Sequence, residues 1–171
     1  MNRSIIPVFC MSALFQACSV GGRHTSDAAL ERTFRQHEAE FEAFLADVQA
    51  DQELTTLQPE VLIYAGHYWK VNEIGHSGLA QERWDRYQQR LRDLGLCSVI
   101  QSEGRVEFRV DPGSLSNGDS YKGYEYNPHP PPRLKKSLDG YRVSADDRDR
   151  YGGWLAYKPL NGNWYLYLFV N

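Results

Sequence analysis

Cysteine is scarce in this chain, with only Cys10, Cys18 and Cys97 among 171 residues. So few cannot build the disulfide framework of a small secreted scaffold. Basic runs are equally thin: nothing exceeds the Lys135-Lys136 pair, and the formal net charge is −3. The electrostatic footprint of a nucleic-acid binder is missing, so no nucleic-acid partner is expected. No apolar stretch reaches the roughly 20 residues that a transmembrane helix needs. Short reaction signatures are missing too. There is no G-x-S-x-G elbow for a nucleophilic serine and no H-E-x-x-H zinc spacing. Asp146, Asp147 and Asp149 lack the glycine and closing glutamate of a calcium loop. These gaps exclude only the chemistry each signature carries, because sites also assemble from residues far apart in sequence.

What the chain does have begins at its amino terminus. Arg3 precedes an apolar run from Ile5 to Phe15, too short to span a bilayer, and Gln16-Ala17-Cys18-Ser19 follows. One positive charge, a short hydrophobic stretch and a small residue at its end are the parts of a secretory signal. The segment Leu14-Phe15-Gln16-Ala17-Cys18 resembles the lipobox of bacterial lipoproteins. That resemblance implies cleavage after Ala17, diacylglyceryl transfer to the Cys18 sulfur, and acylation of the new amino terminus by a fatty acid such as palmitate. Phe15 stands where those motifs usually carry Leu, and Pro7 interrupts the apolar run. Ser19 after the cysteine is similar to lipoproteins sorted to the outer membrane. The alternative is a cytosolic protein with an apolar first strand. On the lipoprotein reading, residues 1–17 are a signal peptide, 18–26 a tether and 27–171 a single globular domain. The protein then sits on the bacterial cell envelope, facing the periplasm. Cys10 leaves with the signal, Cys18 carries lipid, and Cys97 beside Leu96 and Val99 is expected as a buried small hydrophobe.

Eleven Tyr, seven Phe and four Trp supply a core, while the mean hydropathy of −0.58 describes a soluble body. Ser26 or Asp27 can cap a long helix in which Leu30, Phe34, His37, Phe41, Phe44, Leu45 and Val48 recur at steps of three and four. It fades near Asp51 to Glu53. Val61 to Tyr64 reads as a strand, and Ala65 to Gly78 as a glycine-bearing loop holding His67 and His76. A second helix runs from about Ala80 to Leu94, with Trp84, Tyr87, Leu91 and Leu94 as its seam and Gly95 as its stop. From Cys97 the period becomes two. Val99 opens one strand, Glu103-Gly104 turns, and Val106, Phe108 and Val110 alternate with Arg105, Glu107 and Arg109 as a half-solvated hairpin. A strand near Ser120 to Tyr126, a stiff Pro-rich crossing from Asn127 to Pro132, a turn of helix over 133–138 and a short strand at Tyr141 to Val143 follow. Trp154 to Leu160 and Asn163 to Val170, joined at Asn161-Gly162, make the terminal hairpin.

His67 and His76, with Glu73 between them, are the best metal candidates, but ordinary loop histidines explain them better and no metal is expected. His37 reads as a half-buried edge residue, and His129 among prolines has no nameable partner. The acids 146–149 read as a charged loop rather than a glycosidic carboxylate pair. Tyrosine is the least ordinary feature. In the last strand Trp164, Leu166, Leu168 and Val170 share one face, and Tyr165, Tyr167 and Phe169 the other. Either the tyrosine face looks outward and offers Tyr124, Tyr126 and Tyr167 for recognition, or the sheet is covered on both sides.

The order of elements predicts an α+β fold, two helices packed against an antiparallel sheet of about five strands with a C-terminal hairpin. The capped helix, the Trp-bearing helix ending at Gly95, Tyr121-Lys122-Gly123-Tyr124 and the terminal Asn-Trp-Tyr-Leu-Tyr-Leu are together similar to small bacterial lipoproteins of unknown function. The functional expectation is an envelope protein, joined to the membrane by its N-terminal lipid, that binds a protein partner without a cofactor. An immunity-type inhibitor is one form of it. The alternatives are an envelope hydrolase built on His67, His76 or His129, and a glycan or small-ligand binder using the tyrosine face.

Overall fold

The computed structural model describes residues 24–111, 120–140 and 154–170. The expected loop at 114–119, the strand at Tyr141 to Val143 and the acidic run 146–149 lie outside them, as do the signal peptide and Cys18.

The first helical segment is two helices, α1 (Asp27–Gln36) and α2 (Glu38–Ala50). Ser26 caps α1, its hydroxyl accepting from the Ala29 N–H at 3.3 Å. His37, at φ −126° and ψ 24°, breaks the run. The break lets each helix turn its own stripe inward: Leu30 and Phe34 from α1, then Phe41, Phe44, Leu45 and Val48 from α2. The third helix, α3 (Gln81–Asp93), buries Trp84, Tyr87, Gln88 and Leu91. It ends as the sequence predicts, with Gly95 at φ 63° and Leu96 N–H folding back to the Leu91 carbonyl at 2.8 Å.

Eight strands form one antiparallel sheet among the described residues, where about five are expected. They are β1 (Leu54–Leu57), β2 (Val61–Tyr64), β3 (His67–Lys70), β4 (Ser98–Ser102), β5 (Arg105–Asp111), β6 (Ser120–Tyr126), β7 (Trp154–Pro159) and β8 (Trp164–Val170), with a short 3₁₀ helix at Val71–His76 after β3. Their spatial order is β3-β2-β1-β4-β5-β6-β8-β7. The terminal hairpin thus docks by its second strand. The undercount comes from β1 and β3. The turn joining β2 to β3 uses Ala65 at φ 51° ahead of Gly66 at φ 75°, so the usual Asn-Gly signal is missing. The expected turn of helix at 133–138 is instead extended. Leu134 bridges Tyr157 in parallel, and the Lys135 N–H donates to the Tyr157 carbonyl at 2.7 Å, so this segment lies along β7.

The helices cover one face of the sheet. Phe34, Phe41, Phe44, Phe108, Tyr124 and Trp164 interlock there, with ring centroids 4.7 Å apart for Phe41–Tyr124 and 5.3 Å for Phe34–Trp164. Lys122 is on this face too, only 1% exposed. Its ammonium lies 2.7 Å from Asp27 Oδ1 and 2.8 Å from Asp139 Oδ1, and donates to the Thr25 carbonyl at 2.8 Å. Burial alone would raise the Asp27 pKa. Lys122, the Leu138 N–H and the Ser137 hydroxyl outweigh it and hold that pKa at about 2. This buried pair fastens the start of α1 to the middle of the sheet.

Candidate functional site

Register places a second group of side chains on the opposite face. Arg109 faces Gly123, which faces Tyr167 and then Tyr157; one step along, Glu107 faces Glu125, which faces Tyr165. Gly123 sits where the β5 backbone leaves no room for a side chain on β6. A Cβ built there would meet the Phe108 carbonyl oxygen at 2.1 Å, so only glycine fits. Tyr157, Tyr165 and Tyr167 are buried and pack together, with Tyr121, Leu155 and Phe169 at their margin.

Two carboxylates therefore meet across adjacent strands. Glu125 is 0% exposed. Its Oε1 accepts from Asn127 Nδ2 at 3.0 Å, while Oε2 is buried without a hydrogen bond of normal geometry. Burial pushes its pKa from 4.5 up to about 7, the Asn127 hydrogen bond opposing and the Glu107 charge adding to the rise. Glu107 is partly exposed and pairs with Arg109 at 3.0 Å. The Arg109 guanidinium also lies 4.3 Å from the centre of the Tyr121 ring, which stacks on Phe169 at 5.8 Å. Burial likewise raises the pKa of Tyr157 and, well above its ordinary value, that of Tyr167, whose hydroxyl is near Arg109. The group thus pairs a carboxyl that holds its proton near neutrality with an ion-paired neighbour, an acid–base arrangement beneath a partly exposed rim.

The expected recognition residues do not gather into a surface. Tyr124 is 0% exposed on the helix face, its hydroxyl donating to the Leu30 carbonyl at 3.1 Å. Tyr126 is half-buried on that same face, its ring 5.7 Å from Trp164. Tyr167 is 1% exposed on the other side of the sheet. Of the two arrangements open to the sequence, the tyrosine face open to water does not fit the burial of Tyr157, Tyr165 and Tyr167. Cys97 is half-buried. His67 is exposed on β3 with its ring 6.1 Å from Trp69, His76 is exposed at the end of the 3₁₀ helix, and His129 is exposed with its N–H donated to Asn127 Oδ1. Among the described residues, no three His, Cys, Asp or Glu side chains come together in a way that could hold a metal.

Sequence reading misses Glu107 and Glu125. The available signal is a glutamate inside Tyr121–Tyr126 whose period-two neighbours are Gly123 and Tyr121, an acid placed on an aromatic face. Large exposed apolar side chains lie elsewhere: Tyr68 of β3 is 59% exposed and Val71 just after it 51%, at one end of the sheet, and Leu134 beside β7 is 50% exposed. The Lys70 N–H of β3 is donated to the Glu73 carboxylate at 3.1 Å, which blunts the strand edge. Comparison of the chain with protein-family models, with curated proteins and with solved structures finds no match in any of the three.

Proposed function

We propose that this chain is a lipid-anchored protein of the bacterial cell envelope, facing the periplasm from the outer membrane, that acts by binding another protein. The observation that carries the address is the amino-terminal run from Ile5 to Phe15 closed by Ala17-Cys18. Two or more acyl chains on Cys18 would hold the protein at a bilayer where a single chain holds only marginally. The contact surface is the end of the sheet at β3. Tyr68 and Val71 are two large apolar side chains left in water within three positions of each other at this end of the sheet, and a protein partner could cover them. The capped Lys70 N–H directs such a partner to side chains rather than to a long backbone ladder. An immunity-type inhibitor, which needs only an anchor and one tight surface, is the form of this reading that asks least of the molecule.

A second reading, an envelope hydrolase or glycan binder, is favoured by the Glu107–Glu125 pair beside Arg109 and the tyrosines. It requires the face over Glu125 to open, because that side chain is fully buried. Intact mass of the protein extracted from membranes tests the address: a chain starting at a diacylated or triacylated Cys18 supports it, and unmodified protein starting at Met1 in the cytosol overturns it. A pull-down from envelope extracts tests the surface. Tyr68→Ala with Val71→Asp should weaken partner capture at least about tenfold, as hot-spot truncations do. Capture unchanged by that pair, together with glycan cleavage abolished by Glu125→Gln, would turn the conclusion to the hydrolase.

A further inference from the structure

Two shallow grooves meet at Lys158 and Glu31. One, of about 480 Å³, is lined by Leu134, Lys135, Lys136, Lys158 and Pro159. The other, on the outer side of α1, is lined by Glu31 with Arg32, Arg35, Ala28 and Gln36. Lys158 is ion-paired with Glu31, and Arg35 binds the other oxygen of the same carboxylate at 2.9 Å, so the two grooves adjoin at this carboxylate. Their combined lining holds five basic side chains and one acid, in a molecule whose net charge is −3. Leu134, 50% exposed, lines the first groove together with Lys135, Lys136 and Lys158.

We propose that the face bearing these grooves lies against the anionic headgroups of the bilayer that holds the lipid anchor. The proposal rests on the anchored reading above and adds an orientation to it. Three observations support it. The charge is complementary to anionic lipid, and basic side chains near such a surface each add to the attraction within a Debye length of about 8 Å. Leu134 supplies an apolar side chain that can enter the headgroup layer while the lysines around it remain at phosphate depth. The chain also enters the fold beside this face: Asp27, the first residue of α1, lies 3.5 Å from the Lys158 ammonium. Thr25 lies seven positions after Cys18, a reach of at most about 25 Å. A protein held that close needs no strong affinity to be oriented, because the anchor fixes a high local concentration. With this face down, β3 with Tyr68 and Val71, at the opposite end of the sheet order from β7, is left clear for a protein partner.

The test uses the protein as extracted from membranes, reconstituted into phosphatidylglycerol vesicles and, separately, into phosphatidylcholine vesicles. Lysines are acetylated briefly and read by peptide mass spectrometry, with exposed Lys70 on β3 as the internal control. Lys136 should react about tenfold more slowly on phosphatidylglycerol, Lys70 equally on both, and the protection should vanish near 1 M salt, where screening acts within about 3 Å. Arg32→Glu on α1 should also remove the protection of Lys136 across the groove. A lipidated protein whose Lys136 reacts equally on the two lipids overturns the orientation alone. A chain without lipid at Cys18 overturns the anchored reading and this proposal with it. Protection of Lys136 found in intact envelopes but not on phosphatidylglycerol overturns the lipid in favour of a protein occupant.

Discussion

Replacing Glu125 by Gln should make the protein more stable at alkaline pH and change it much less at pH 5. Glu125 is fully buried with one carboxylate oxygen lacking a hydrogen bond of normal geometry, and Glu107 faces it from β5. Its pKa rises from 4.5 in the open chain to about 7 in the folded one. Between these values the folded state binds more protons than the unfolded state, so stability falls as pH rises. The contribution is fully present below about pH 4.5 and is lost as pH climbs through about 7. At about 1.4 kcal/mol per pKa unit, the whole span is about 3 kcal/mol. The groups facing Glu125 are Glu107 and Arg105 from β5, Asn127 beyond β6 and Tyr157 from β7. Gln keeps the shape and the acceptor for Asn127, and brings a donor instead of a charge toward Glu107. Urea unfolding of both proteins at pH 5 and pH 8.5 measures this directly, and their difference isolates Glu125 from every other titrating group. The substituted protein should gain about 3 kcal/mol over the native one at pH 8.5 and less than about 1 at pH 5. Equal stabilities at pH 8.5, or a native protein more stable there than at pH 5 with that gain lost in Glu125→Gln, would refute the account.

Leu166→Ala and Tyr167→Ala should both unfold the protein at clearly lower urea, by about 2–5 kcal/mol each, because the two side chains are buried on opposite faces of β8; a mild effect at Tyr167 alone would mean that its face is open to water. Asp27→Asn should cost about 3 kcal/mol by leaving the buried Lys122 with only the half-exposed Asp139, and adding Lys122→Met should recover most of it in a double-mutant cycle. Since the Asp27 pKa is held below its ordinary value, native stability should also decline as pH falls through about 2, a decline that Asp27→Asn removes. Gly123→Ala should be among the most damaging single changes in the sheet, since its methyl carbon would stand 2.1 Å from the Phe108 carbonyl; a circular dichroism melt within a few degrees of the native protein would show that β5 and β6 can part there.

Local chemistry fixes the parts of this protein that are legible in its sequence. Glycine at 95 is in the left-handed conformation and ends α3 as its spacing predicts, and the β4–β5 turn falls at Glu103-Gly104, both residues at positive φ. The terminal hairpin also forms where Asn161-Gly162 interrupts two alternating runs. Only Gly162 takes positive φ there, and the turn closes from the Trp164 N–H to the Asn161 carbonyl at 2.9 Å. Alternation along Trp164 to Val170 separates the two faces of β8 correctly, since side chains in a strand can do nothing else.

What alternation does not carry is what lies over each face. Whether Tyr157, Tyr165 and Tyr167 meet water depends on neighbouring strands and on the segments laid over them, none of which is local to those residues. The same holds for Glu107 and Glu125, which lie 18 positions apart in the chain. They become neighbours only through the register of β5 on β6, and only burial turns an ordinary glutamate into an acid that titrates near neutrality. Lys122 and Asp27, 95 positions apart, find each other the same way. The sequence by itself determined the hydrophobic periods, the turns and the apolar amino-terminal run, because each is an interaction between residues a few positions apart. Strand order, the burial of the tyrosines and the pairing of buried charges were decided by tertiary structure, because each depends on contacts whose partners the chain brings together from a distance.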